Sequence, residues 1–311
     1  MEPRNRLDRR SFLALAAAVP LIQTTPTRPA AGPGSGSMFV SIHGASVTKF
    51  DFKTGVEGIA KAGVKAVEPE IAKVQQFAML PGESLITAKK LLDDLGLKAV
   101  STSNHLGLPD AAAAQVANLL EQLKPKLEVA QAIGADRIVC PSTGTGNKTA
   151  DDYKRAVDTM RAGGELAKPF GVTLMIEFAR TSTLIGSLPT CLKVVRETNH
   201  PNVRAMLDTF HFWGGISKFE DLELLKDGEL AHLHFEDVPA DPPREGQGQP
   251  DRAWPGEGIA PLKRIVQLLK QKKYAGPASM ELFQNASPLV RDLDPYNVAL
   301  KARAAIEPLI A

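Results

Sequence analysis

Several common classes of protein are excluded by what this sequence has little of. It contains two cysteines, Cys140 and Cys191, in 311 residues. That is too few for a disulfide framework, and both read as small packed hydrophobes. The apolar run over residues 11–22 is too short to cross a bilayer as a permanent helix. Net charge is also small, at +2, and it belongs to the N-terminus. Residues 1–30 carry Arg4, Arg6, Arg9, Arg10 and Arg28 against Glu2 and Asp8, so the chain without them has a formal charge of −1. Nothing in that balance points to nucleic acid. The first apolar strand is followed by SIHGAS rather than a G-x-G-x-x-G turn, which argues against an open dinucleotide-binding sheet. No inter-domain linker and no internal repeat beyond simple alternation is visible.

What is present begins with a leader. A basic segment containing Arg9-Arg10 runs into SFLAL and an apolar stretch, then a Pro-rich exit and AAGPGSGS. This order is that of an export signal, and the arginine pair followed by Ser-Phe-Leu resembles the twin-arginine type. The expected organisation is a leader over 1–30, a flexible linker over 31–37 and a single domain over 38–311. Twin-arginine export carries folded proteins, which suits a protein that takes up a metal or cofactor before export. The mature chain is then periplasmic, with no membrane segment.

From residue 38 onward, short apolar runs alternate with helical stretches. Strands are expected at 38–42, 66–67, 98–101, 137–140, 172–176, 203–207, 231–235 and 278–280. Helices are expected at 54–62, 84–95, 111–133 (with a bend at Pro125), 151–167, 188–198, 219–225, 261–271 and 296–310. Gly63, Gly96, Gly134 and Gly171 each stand where a helix should stop just before a strand. Alternation of this kind implies a parallel sheet, and eight units in one domain fit an α/β, (β/α)₈ TIM barrel. In such a barrel the chemistry sits at the C-terminal strand ends.

Those ends carry a consistent set of groups. Glu177, Asp208, His234 and Glu281 close the fifth to eighth strands. Singly, each has an ordinary reading: Glu177 and Asp208 as helix caps, Glu281 as an ion-pair partner, His234 as a hydrogen-bonded core residue. Jointly, three oxygen donors and one nitrogen on successive strands suit a divalent cation, Mn²⁺ first and Mg²⁺ or Co²⁺ as alternatives; Zn²⁺ prefers fewer ligands and more nitrogen or sulfur. Four protein ligands leave two octahedral positions for neighbouring oxygens of a hydroxy-ketone, so the cation can act as a Lewis acid when a carbon beside the carbonyl loses its proton. His43, Glu68 and His105 lie at or just after the first three strand ends and suit sugar hydroxyls, or else close the barrel mouth as satisfied polar groups. Trp213 and Trp254 stand in later loops, where each could stack on a sugar or pack a lid. His232 is read as pointing away from His234 and outside the ligand set.

The motifs IEF at Glu177, LDTFH at Asp208 and His211, HLHFEDV at His234, PGEG at 255–258 and YAGPASMEL ending near Glu281 resemble the sugar phosphate isomerase/epimerase superfamily of xylose-isomerase-like barrels. Ketose 3-epimerases and inosose dehydratases belong to it. The resemblance implies that Glu177, Asp208, His234 and Glu281 bind the metal, and that Glu177 and Glu281 exchange the substrate proton. It also implies that His211 and Arg252 contact substrate oxygens. The expected activity is a metal-dependent isomerase or epimerase on a sugar or keto-sugar, with a lyase, dehydratase or hydrolase as alternative. An endonuclease IV-like phosphodiesterase or a non-catalytic sugar-binding barrel stands further off. The expected partner is a small sugar, with no nucleic acid, and a homo-oligomer remains open. Thr183 stands where the ketose epimerases carry a second Glu, and Arg180 in the same segment could meet an anionic sugar.

Overall fold

A computed structural model describes residues 36–103 and 106–311. The leader, most of the linker and His105 lie outside the described residues. The chain runs β1 (Phe39–His43), α1 (Phe52–Lys61), β2 (Ala66–Glu68), α2 (Ile71–Ala78), α3 (Leu85–Asp94), β3 (Lys98–Ala99), β4 (Thr102–Ser103) and α4 (Val116–Ile133). It continues with β5 (Arg137–Ser142), α5 (Ala150–Ala167), β6 (Thr173–Phe178), α6 (Leu188–Thr198), β7 (Val203–Asp208) and α7 (Thr209–Trp213). The last elements are β8 (Leu230–His234), α8 (Leu262–Gln271), β9 (Pro277–Met280) and α9 (Pro295–Ile310).

All strand pairs are parallel, in the order β3-β2-β1-β9-β8-β7-β6-β5-β4. The two ends of this sheet, β3 and β4, belong to one short stretch interrupted only at Val100 and Ser101. The sheet therefore closes on itself, and the eight expected strands are present with the third broken in two. The break has a local cause. Val100 still donates its N–H to Val67 O, while Ser101 turns inward and donates its hydroxyl to Glu68 Oε1 at 3.1 Å.

Helix ends follow the sequence signals closely. Asp51, Ser84, Thr149, Ser187 and Asp294 cap α1, α3, α5, α6 and α9 with their side chains. Gly134 stops α4 at φ 80°, where a side chain would be strained. Two helices escaped the sequence reading. Glu70, before α2, makes no side-chain cap bond, so the start signal is missing although Ile71, Val74 and Phe77 are buried on one face. The five-residue α7 is too short for periodicity to reveal it. Residues 219–224, expected as a helix, form a 3₁₀ turn, and α4 passes through Pro125 as one helix.

The main core lies between the sheet and the helices and includes both cysteines. Inside the barrel, residues two apart on a strand share a face, so Met175 lies beneath Glu177, Met206 beneath Asp208, His232 beneath His234 and Ser279 beneath Glu281. The expectation that His232 points away from His234 is therefore corrected. Its ring is buried within the barrel, with its centroid 5.3 Å from that of His234.

The last helix is sealed against the first. A Cβ placed on Gly58 of α1 would lie 2.6 Å from Pro295 Cβ and 2.8 Å from the Tyr296 backbone nitrogen of α9. Alanine favours a helix interior over glycine by about 1 kcal/mol, but overpacking against fixed backbone costs about 1–3 kcal/mol. Gly58→Ala is expected to lower the thermal midpoint in a melt followed by circular dichroism. A midpoint at or above wild type would show that α1 and α9 are not held this close.

Candidate active site and metal centre

The four expected ligands converge. Glu177 near the end of β6, Asp208 ending β7, His234 ending β8 and Glu281 just past β9 are all buried, and their ligand atoms lie within 4.8 Å of one another. His234 Nδ1 is the centre of the group, 3.1 Å from Glu177 Oε1, 3.3 Å from Glu281 Oε2 and 3.8 Å from Asp208 Oδ2. Asp208 caps α7 with one oxygen and turns the other to the cluster. Oδ1 accepts the His211 N–H at 2.8 Å and caps α7, while Oδ2 faces the cluster.

This donor set fits a cation. The other ring nitrogen, Nε2, lies 3.2 Å from the buried carboxylate of Glu68. A neutral imidazole that donates there would aim the Nδ1 lone pair at three carboxylates, which is unfavourable unless a positive charge lies between them. A proton can supply that charge. Burial works against the imidazolium, but Glu281 and Glu68, with Asp208 and Glu177, hold the His234 pKa well above its usual value. A divalent ion can supply it as well, and an O₃N set suits Mn²⁺, Mg²⁺ or Co²⁺.

Arg252 provides a second positive charge. The loop over 239–258 is clamped at its root, where Asp237 and Ala253 exchange backbone hydrogen bonds. The Asp237 carboxylate accepts from the backbone of Val238, Gly256 and Ala260. This places Arg252 at 1% exposure, with Nη1 2.8 Å from Asp208 Oδ2, 2.7 Å from Glu236 Oε1 and 3.3 Å from Glu281 Oε2. Its guanidinium lies over the rings of Phe210 and Phe283. Burial raises Asp208 and Glu281, yet Arg252 and the nearby imidazoles outweigh it, so both carboxyls stay below the usual range.

A cavity of about 180 Å³ opens above the cluster. Glu177, His234, Glu281 and Arg252 form its floor, and His43 and His211 its sides. Val139, Pro141 and Phe283 make an apolar wall, with Ser103, Thr143 and Gln249 as polar groups among them. His43 and His211 thus stand where a bound sugar could reach them. His211 Nε2 is 3.4 Å from Arg252 Nη2, and burial pulls its pKa down.

Of the two readings of Glu68, the structure shows the satisfied polar group: it does not line the cavity but is fully buried, meeting His232 and His234. Trp213 is half-buried against the core and outside the cavity lining. Trp254 is fully buried beneath Lys301 and stacks on nothing in the cavity. Arg180 leaves the cavity to donate to Arg244 O in the 239–258 loop, and Thr183 donates to Gly146 O at 2.6 Å. Glu236 went unread. It lies past the end of β8, where strand alternation no longer applies. Its carboxyl is fully buried, and burial together with Asp208 pushes its pKa well above the ordinary value.

A closed parallel barrel with acids and an imidazole gathered at its C-terminal rim defines a (β/α)₈ protein whose strand ends could hold a cation. The chain belongs to the xylose isomerase-like TIM barrel family, whose model matches residues 56–304. It is 30% identical to an inosose isomerase of Halalkalibacterium halodurans over 169 residues, covering 53% of this chain and 60% of that protein. The chain thus spans about 60% of the length of the first curated relatives it matches. It is 27% identical to a D-psicose 3-epimerase of Ruminiclostridium cellulolyticum over 248 residues, covering 75% and 78% of the two chains. The crystal structure of the IolI protein with a bound zinc atom superposes with a TM-score of 0.80 at 22% identity, covering 88% of this chain and 98% of that one, a likeness of fold.

The geometry at His234 yields a measurable expectation. A divalent ion at Nδ1 competes with a proton there, and the neighbouring carboxylates that raise the His234 pKa favour that proton. Binding is expected to release about one proton per ion and to weaken as pH falls. Calorimetric titration of Mn²⁺ in two buffers of different ionisation enthalpy reads this directly. Mn²⁺ bound as tightly by His234→Ala as by wild type would remove His234 from the ligand set.

Proposed function

We propose that this protein is a divalent-metal-dependent isomerase or epimerase that moves a proton on the carbon beside the carbonyl of a sugar or keto-sugar. The observation that carries the reading is the convergence of Glu177, Asp208, His234 and Glu281 beneath the cavity, with Glu177 and Glu281 open to it. Those four residues hold the cation, Mn²⁺ first. When bound, the ion supplies Lewis-acid polarisation of the carbonyl, which acidifies the neighbouring C–H.

The protein side chains do the rest. Glu281, held below the usual carboxyl range, is ionised at neutral pH and can accept a proton. Glu177 is the second carboxyl group at the same floor. One takes the proton from carbon as the C–H bond breaks, and the other returns a proton to carbon. Return to the opposite face of the same carbon inverts it; return to the former carbonyl carbon, with the hydroxyl proton of the first carbon passing to the former carbonyl oxygen, isomerises the sugar. Arg252 and the His211 imidazole line the cavity as hydrogen-bonding groups for substrate oxygens, and the buried Arg252 Nη1 has no well-aligned hydrogen bond within the protein. Relatives named inosose isomerase and D-psicose 3-epimerase support this reaction type. The diversion of Arg180 and Thr183 into loop contacts favours a substrate other than a free ketohexose or an anionic sugar.

Incubation with inososes, keto-sugars and 3-keto-glycosides in D₂O with Mn²⁺ tests the proposal. The expected result is deuterium at the carbon beside the carbonyl without loss of mass. Loss of water instead would assign the chain to elimination. Glu281→Gln is expected to slow exchange by about 10²–10⁴-fold, and Asp208→Asn to lower both metal content and turnover. Metal-free wild-type protein together with a fully active Asp208→Asn variant would overturn the assignment.

The leader extends the proposal to location: we place the mature enzyme in the periplasm, exported folded. Replacing Arg9 and Arg10 together by Lys is expected to retain it in the cytoplasmic fraction. Unchanged export would remove the twin-arginine reading.

A further inference from the structure

The inside of the barrel is divided beneath the cavity. On the β5–β7 side the layer under the cluster is apolar, formed by Val139, Met175 and Met206. On the other side it is polar: Ser41, Glu68, Ser101, His232 and Ser279 are all fully buried. A carboxylate in that position is expensive, because taking a charge out of water costs several kcal/mol unless partners replace the water. The apolar half shows that packing alone does not require it.

The partners of Glu68 are four hydrogen-bond groups from other strands. Ser101 Oγ lies 3.1 Å from Oε1. His232 Nε2 at 2.8 Å, Ser279 Oγ at 3.1 Å and His234 Nε2 at 3.2 Å all meet Oε2. An ionised carboxylate accepts hydrogen bonds and donates none. Both ring nitrogens facing it must therefore carry hydrogen. For His234 this fixes which nitrogen remains available on the other side of the ring.

We infer that Glu68 is a positioning residue for His234: by holding the Nε2–H it leaves Nδ1 as the nitrogen presented to Glu177, Asp208 and Glu281. The inference rests on the reading of that cluster as a metal centre. Ser101, Ser279 and His232 in turn hold the carboxylate in place, so the orientation of one metal ligand is fixed by β2, β8, β9 and the β3–β4 break together. The arrangement is a carboxylate–histidine–metal relay, in which loss of the outer carboxylate weakens the ion about 10–100-fold. It also gives the interruption of the third strand a purpose, since Ser101 reaches Glu68 from that break. His43 is a neighbour rather than a partner: its Nε2 stands 3.8 Å from Glu68 Oε1, beyond hydrogen-bond reach.

The test uses the full-length protein and Glu68→Gln, which keeps shape but offers an N–H₂ where only acceptors fit. Mn²⁺ affinity, measured by calorimetry, is expected to fall about 10–100-fold, with the circular dichroism spectrum unchanged. In histidine-¹⁵N-labelled wild type, at a pH where the imidazole is neutral, His234 is expected to carry its proton on Nε2, and Glu68→Gln to shift it toward Nδ1. Should Glu68→Gln fail to fold, Ser279→Ala, which removes one donor to Glu68 without touching either ring, is expected to weaken Mn²⁺ by a smaller factor. Wild-type affinity in a folded Glu68→Gln, or an Nδ1–H tautomer in wild type, overturns the inference. So does a stoichiometry of two ions per chain that drops to one in Glu68→Gln, which would make Glu68 a ligand with His43 and His234. Failure of wild type to bind Mn²⁺ removes the metal reading instead, and the tautomer still decides the role of Glu68.

Discussion

The structure depends on the placement of acid groups at the top of a closed barrel. Glu68, Glu177, Asp208, Glu236 and Glu281 are all buried within reach of one another's fields. No apolar interior tolerates such a set without opposing charge. That charge comes from His234 at the centre of the cluster and Arg252 at its edge, with Glu68 steadied by hydroxyls and imidazoles beneath. The same constraint makes the site suited to a cation: the geometry that would be repulsive around a bare nitrogen lone pair is attractive around a positive ion.

The fold contributes a way to bring groups far apart in the chain to one point. Each of the four clustered residues comes from the end of a different strand, and strand neighbours set their spacing through the registers that pair Asp208 with His234 and His234 with Ser279. The loop over 239–258 contributes differently. It is held by the backbone bridge between Asp237 and Ala253 and by the three N–H groups on the Asp237 carboxylate, and this rigidity is what allows Arg252 to be fully buried among acids. Arg180 and Arg244 tie the loop from outside, Arg180 to the Arg244 carbonyl and Arg244 to Gly215 O at 3.0 Å. Arg180 thus helps to hold the loop that carries Arg252.

Much of the arrangement is legible from residue order. Apolar runs and helix stops such as Gly134 report local backbone preferences, and these alone define the alternation that implies a barrel. The positions of Glu177, Asp208, His234 and Glu281 at strand ends follow from the same local pattern, and so does their convergence once the sheet closes. The alternation also carries the placement of His232, two residues before His234 and therefore on its face of the strand; Glu236 lies past the end of that strand, where alternation no longer applies.

What the tertiary structure decided is which groups face the cavity and which lie beneath it. Glu68 and His43 are register partners on neighbouring strands, yet the shorter reach of His43 leaves it at the cavity and the longer side chain of Glu68 carries it to the barrel axis. Trp213 packs half-buried against the core and Trp254 is fully buried in it, both outside the cavity lining. Arg252 reaches Asp208 across a loop whose path no local signal describes. Sequence by itself determined the order of the strands, most of the helices and the four residues at one rim, because these depend on neighbours along the chain. The pairing of Glu68 with His234, of Glu236 with Arg252, and the two-sided role of Asp208 depend on distances across the barrel, which exist only after it closes.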